Sequence, residues 1–140
     1  MELYPTSYFY LFQAQQMQTL FDFLRKYRRE DGSELCDAFV RAPKRRTEPE
    51  YYEVVSEPID MLKIQSKLKM DEYTDMKGLK EDFELLLNNA TTYYKKGSQE
   101  LKDANEMNEL FQKALGVYIL TVYFQFSFMS WGKLPFWGNL

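Results

Sequence analysis

The sequence contains no histidine and a single cysteine, Cys36. Without histidine there is no imidazole general base, no Ser-His-Asp or Cys-His nucleophile system, and none of the common zinc ligand sets. A lone cysteine forms no internal disulfide, which fits a reducing compartment, and Cys36 reads as a small buried hydrophobe. Positive charge is also short: the formal net charge is -3 and the pI about 5.1. Bulk electrostatics therefore exclude general nucleic-acid binding, and any basic surface is local. Carboxylates are plentiful, but none forms a paired acid/base arrangement, and no phosphate loop or metal cluster is present. We expect no enzyme, no cofactor and no metal. The aromatic run Tyr8-Phe9-Tyr10-Leu11-Phe12 lacks a basic flank and a small-residue cleavage site, so no secretory signal is expected.

What remains suits one helical domain. The 140 residues are 45% hydrophobic and 17% aromatic, enough for a core of ordinary size. Met17, Leu20, Phe21, Leu24 and Tyr27 fall on one face of a helix spanning about residues 13–28. After Pro58, Asp60 is positioned to cap a short helix carrying Met61, Ile64 and Leu68. From Thr74-Asp75 onward, Leu79, Phe83, Leu86, Leu87, Ala90 and Tyr94 form a stripe over about four turns. Ser98 is a good N-cap for a last helix with Leu101, Ala104, Met107, Phe111 and Ala114 inward, and Gly116 is a candidate stop. No stretch alternates well enough to build a sheet. The expected fold is all-α, a four-helix bundle with a long loop between helices one and two. That loop, about residues 30–57, holds Leu35, Phe39, Val40, Tyr51, Tyr52, Val54 and Val55. It should pack back on the bundle and wall a site. The expected organisation is an N-terminal extension (1–12), the domain (13–116) and an apolar tail (117–140). Residues 114–131, ALGVYILTVYFQFSFMSW, carry no charge. This is near the lower limit for a membrane span, but Thr121, Gln125, Ser127 and Ser130 dilute it, so membrane attachment is not expected and a docked continuation of the last helix is.

Two motifs carry a family resemblance. The run Pro49-Glu-Tyr-Tyr-Glu-Val-Val-Ser-Glu-Pro-Ile-Asp60 and the helix end Asp82-Phe-Glu-Leu-Leu-Leu-Asn-Asn-Ala-Thr-Thr-Tyr-Tyr-Lys95 resemble the bromodomain family over about residues 13–116. The resemblance implies a left-handed four-helix bundle in a nuclear chromatin-remodelling protein. Its partners would be an acetylated histone peptide and subunits of a remodelling complex. Acetylation leaves a neutral amide on an apolar stem. A reader needs an apolar slot and one donor, because burying the acetyl oxygen unpaired costs about 2 kcal/mol.

Carried over by position, Tyr51 matches the tyrosine that holds a bridging water, Phe39 the loop-shelf phenylalanine, and Val54 and Val55 the apolar wall. Tyr93 matches the tyrosine before the ligand-binding asparagine. Glu100 falls at the gatekeeper position, with Leu101 beside it. The sequence departs from the family twice. Tyr94 stands where the asparagine is usual, and Asp37-Ala38 stands where the shelf usually reads Trp-Pro. A phenol donates a hydrogen bond, yet it reaches farther and fills more of the slot than a carboxamide. The resemblance with this departure implies weak acetyl-lysine binding, and a pocket plugged by Tyr94, working instead through DNA or protein contacts, is the alternative. The dense basic run Lys44-Arg45-Arg46 is either a solvated loop or a contact to the phosphates of nucleosomal DNA.

Overall fold

The computed structural model describes residues 6–131. Among them the chain is helical, with no β-structure beyond an isolated bridge between Arg28 and Glu34. The elements are α1 (Thr6–Lys26), α2 (Asp37–Val40), α3 (Pro49–Val54), α4 (Met61–Lys69), α5 (Met76–Tyr93) and α6 (Gln99–Trp131). Helices α1, α4, α5 and α6 pack as a bundle, while α2 and α3 are short turns of helix within the long α1–α4 connection.

The two expected caps, Asp60 and Ser98, are present, and Asp75 caps α5 in the same way. The Asp60 carboxylate accepts from the Lys63 N–H at 2.8 Å, Asp75 from the Gly78 N–H at 3.1 Å, and the Ser98 hydroxyl from the Leu101 N–H at 3.3 Å. These satisfy amides that the first helical turn leaves without partners. Gly97, at φ 87°, supplies the left-handed turn between α5 and α6.

The core follows the sequence stripes. Met17, Leu20, Phe21 and Leu24 of α1 meet Met61 and Ile64 of α4, Leu79, Phe83, Leu86, Leu87 and Ala90 of α5, and Ala104, Met107 and Phe111 of α6. Phe83 and Phe111 touch at a centroid distance of 4.9 Å. Cys36 is fully buried and its thiol donates to the Arg25 carbonyl at 3.3 Å, so it acts as packing. One buried polar side chain crosses the bundle: the Gln13 amide oxygen accepts from the Met76 N–H at 3.3 Å, joining α1 to the head of α5.

Both outer helices are longer than the sequence pattern indicates. Helix α1 begins at Thr6, and α6 runs without interruption through Gly116. Glycine inside a helix costs only about 1 kcal/mol relative to alanine. The flanking Leu115, which is buried, and Tyr118, which packs against the core, hold the helix through that position. The helices thus cross the expected boundaries after residues 12 and 116. Residues 1–5 of the N-terminal extension and 132–140 of the tail lie outside the described residues. Among the described residues, no helix is long and apolar enough to cross a membrane.

Candidate functional site

The long connection is tied to the bundle at several points. Tyr52 donates its hydroxyl to the Pro43 carbonyl at 2.6 Å, and the Arg45 guanidinium lies 4.0 Å above the Tyr52 ring. The Ala42 N–H donates to the second oxygen of the Asp60 carboxylate at 2.8 Å, so one side chain both caps α4 and fixes the loop. The buried Asn89 side-chain amide donates to the Glu57 carbonyl at 2.8 Å. Asn89 therefore satisfies a loop carbonyl, while Asn88, one position earlier, stays exposed.

Between this loop and α5 lies a small cavity lined by Ala38, Phe39, Arg41, Ala42, Pro43, Tyr51, Ile59, Asp60, Leu86, Ala90 and Tyr94. The internal volume open to a water-sized sphere is about 20 Å³. That exceeds the roughly 10–15 Å³ needed for a single water molecule and little more. Leu86, Ala90 and Tyr94 recur every four residues along one face of α5. Tyr94 is the C-cap of that helix, and its N–H still bonds to the Ala90 carbonyl, which turns the ring inward. Its ring stands edge-on to Phe39 at 6.4 Å and to Tyr93 at 5.1 Å; Tyr93 packs in the same way on Tyr51 at 4.8 Å, and Tyr51 on Tyr52 at 5.1 Å. These perpendicular contacts place ring edges on ring faces, the favoured aromatic geometry.

The electrostatics keep the phenols protonated. Burial, then the neighbouring Tyr94, Tyr52 and Asp60, push the Tyr51 phenol up to about 12. Its hydrogen bond to Glu48 at 2.8 Å, with burial and the charges of Glu48 and Glu50, pushes Tyr93 up to about 12. Tyr94 is raised by burial and by Glu48 and Glu100. Among the described residues, neither the Tyr51 nor the Tyr94 hydroxyl has a hydrogen-bond partner, and no buried side-chain polar atom is left unsatisfied. Both hydroxyls are therefore neutral donors open to a solvent-sized space.

Of the residues chosen from sequence, Phe39, Tyr51 and Tyr94 come together on the cavity. Val55, the residue that caps the end of α3, is buried, and its N–H donates to the Tyr51 carbonyl at 2.9 Å, whereas Val54 is 51% exposed and stands away from the wall. Pro43 and Ile59 supply the apolar wall instead. Tyr93 stands behind the cavity, bonded to Glu48, and supports Tyr51 and Tyr94. Glu100 and Leu101 start α6 and do not line the cavity. Sequence reasoning left out Asp60 as a lining residue and Leu86 and Ala90 as its floor. The four-residue repeat ending at Tyr94 carried that signal. Lys44, Arg45 and Arg46 are exposed on the loop, apart from the stacking of Arg45 on Tyr52.

Comparison with known proteins agrees with this geometry. The family model for the bromodomain matches residues 17–106. Curated relatives include the chromatin structure-remodeling complex subunit rsc4 of Schizosaccharomyces pombe, 31% identical over 67% of this chain and 17% of that protein. The SWI/SNF chromatin-remodeling complex subunit snf22 of the same organism is 33% identical over 69% of this chain and 6% of that protein. The chain thus spans a small fraction of the relatives it matches. Among solved structures, the second bromodomain of Candida albicans Bdf1, bound to an imidazopyridine, superposes with a TM-score of 0.65 at 20% identity, covering 73% of this chain and 95% of that one.

Proposed function

The chain belongs to the bromodomain family, and from that premise we propose that it is a chromatin-binding module that reads acetylated lysine on histone tails weakly. The supporting observation is the cavity between the Tyr51 and Tyr94 phenols. It presents two neutral donors over apolar walls, as a neutral amide requires. The internal volume open to a water-sized sphere, however, is about 20 Å³, where a single water already needs roughly 10–15 Å³, so the four heavy atoms of an acetamide are not accommodated without rearrangement. An acetyl-lysine enters by swinging the Tyr94 ring aside, or stays at the mouth and bonds through a water molecule. Either route costs free energy, hence the low affinity. In keeping with its relatives, the module would act in the nucleus within a remodelling complex, where arrayed modules compensate for weak single contacts. The run Arg41-Ala-Pro-Lys-Arg-Arg46 and the Tyr93-Tyr94 pair resemble the first bromodomain of the polybromo subunit of such complexes.

The same small volume favours a second reading, in which Tyr94 closes the pocket and the loop surface, with Lys44, Arg45 and Arg46, contacts DNA or protein. A ¹⁵N NMR titration separates the two. With acetylated histone peptide, and not with the unmodified peptide, shifts are expected at Phe39, Tyr51, Ile59 and Tyr94. Equal responses to both peptides, or shifts confined to residues 44–46, overturn acetyl-lysine reading.

A further inference from the structure

Helices α1 and α6 run antiparallel. Arg29, just past the end of α1, forms ion pairs with Asp103 and Glu106 near the start of α6, and farther along Gln16–Phe23 faces Leu110–Tyr118. Towards their far ends, before Asp22 in α1 and after Lys113 in α6, both helices lose their charge. No ionisable acid or base of the Asp, Glu, Lys or Arg type occurs in residues 6–21 or 114–131. Between them lies a groove of about 330 Å³ lined by Gln16, Thr19, Leu20, Phe23, Leu110, Lys113, Ala114, Val117 and Tyr118. Leu110, Ala114, Val117, Thr121 and Phe124 follow alternating steps of four and three, the spacing of a helix-packing seam. Phe23 is 46% exposed, Val117 63%, Leu120 57% and Phe124 66%, although a core helix would bury such side chains.

We propose that this face is a homodimer interface, in which the α1–α6 hairpin of one copy packs against that of a second copy to complete a four-helix layer. The partner is chosen by three features. First, an open two-helix hairpin with a seam is half of a bundle, and a twofold axis supplies the matching half from the same sequence. Second, the chain as a whole is acidic, so self-association is opposed elsewhere by like charge; the uncharged helix ends are where two copies meet without that repulsion. Third, the exposed parts of Phe23, Val117, Leu120 and Phe124, which share the side of the groove, amount to roughly 400 Å² per copy, an apolar centre of about half the ~800 Å² per partner of a standard interface, whose rim is polar. The proposal does not depend on acetyl-lysine recognition, since the groove lies outside the cavity lining.

Analytical ultracentrifugation of the 140-residue chain, from about 1 to 100 µM, is the test. We expect a concentration-dependent species at twice the 16.8 kDa chain mass. Phe23→Glu and Leu120→Glu, each on an exposed position, should shift the dimer dissociation constant upward at least tenfold while circular dichroism shows unchanged helicity. A monomer across the whole range overturns the proposal, as does a dimer insensitive to both substitutions. A monomer that floats with phosphatidylcholine vesicles also overturns it, and assigns the face to lipid.

Discussion

The Asn89 side-chain amide, on the inner side of α5, donates to the Glu57 carbonyl 32 positions earlier in the chain at 2.8 Å. This bond fixes the end of the long connection next to the helix that carries Tyr94. Asn89 is 8% exposed, so Asn89→Ala leaves a partly buried carbonyl without its partner. The expected cost is about 1–3 kcal/mol, read as a lower urea midpoint at unchanged slope. An unchanged midpoint would show that the loop is anchored elsewhere.

A second anchor joins α4, its following loop and α5. Lys67 and the Tyr73 hydroxyl both reach the Asp82 carboxylate, and Lys67 also sits 4.8 Å from the Tyr73 ring centroid. Asp82→Ala removes the shared acceptor and leaves a partly buried ammonium and phenol, with an expected loss of about 2–4 kcal/mol. Tyr73→Phe removes one donor only and should cost about 1 kcal/mol. Thermal melts that rank Tyr73→Phe as the more damaging change would contradict this division.

Stability against pH should be asymmetric. With no histidine, it is expected to be flat between about pH 6 and 8. Above that, Tyr51 matters: its phenol is pushed up to about 12 in the folded chain against an ordinary 10.0. A raised folded value means stability is fully present below about pH 10 and is lost as pH rises towards 12, because the unfolded chain releases its proton first. Tyr73 and Tyr94 are raised as well, and the buried Cys36 thiol begins the decline slightly earlier. Urea midpoints at pH 8 and 11 should differ, and Tyr51→Phe should narrow the gap.

The basic run separates into two roles. Arg45 is laid on Tyr52, so Arg45→Ala is expected to loosen the loop. Lys44 and Arg46 are exposed, with no ion-pair or side-chain hydrogen-bond partner among the described residues. If they contact DNA phosphates, Lys44→Ala with Arg46→Ala should lower the slope of log affinity against log salt by about 2 in gel-shift titrations, as two phosphate contacts imply. An unchanged slope assigns the run to loop structure.

The sequence made the bundle legible because each core helix carries a stripe of large apolar side chains, and because Asp60 and Ser98 cap α4 and α6 where their type indicates. The ends of α1 and α6 were not legible. A candidate stop at Gly116 is a local preference of about 1 kcal/mol, which the neighbouring apolar residues outweigh. At the site, position in the family motifs located Phe39, Tyr51 and Tyr94 on one cavity. It did not separate Val54 from Val55, because α3 ends between them and the chain turns extended at Val55, which buries one side chain and leaves the other in solvent. Nor did it show that Tyr93 supports the cavity from behind, since its hydrogen bond to Glu48 joins residues 45 positions apart.

The central claim is that one phenol limits the reading of acetyl-lysine, so the most direct measurement is calorimetric titration of acetylated histone peptide into the unmodified chain and into Tyr94→Asn. Replacing the ring by a carboxamide widens a cavity of about 20 Å³ and keeps a donor at its floor. The expected result is tighter binding by about tenfold, or roughly 1.4 kcal/mol, with no gain for the unmodified peptide. Affinity that is unchanged or weaker for the acetylated peptide, in a variant that remains folded, would contradict the claim.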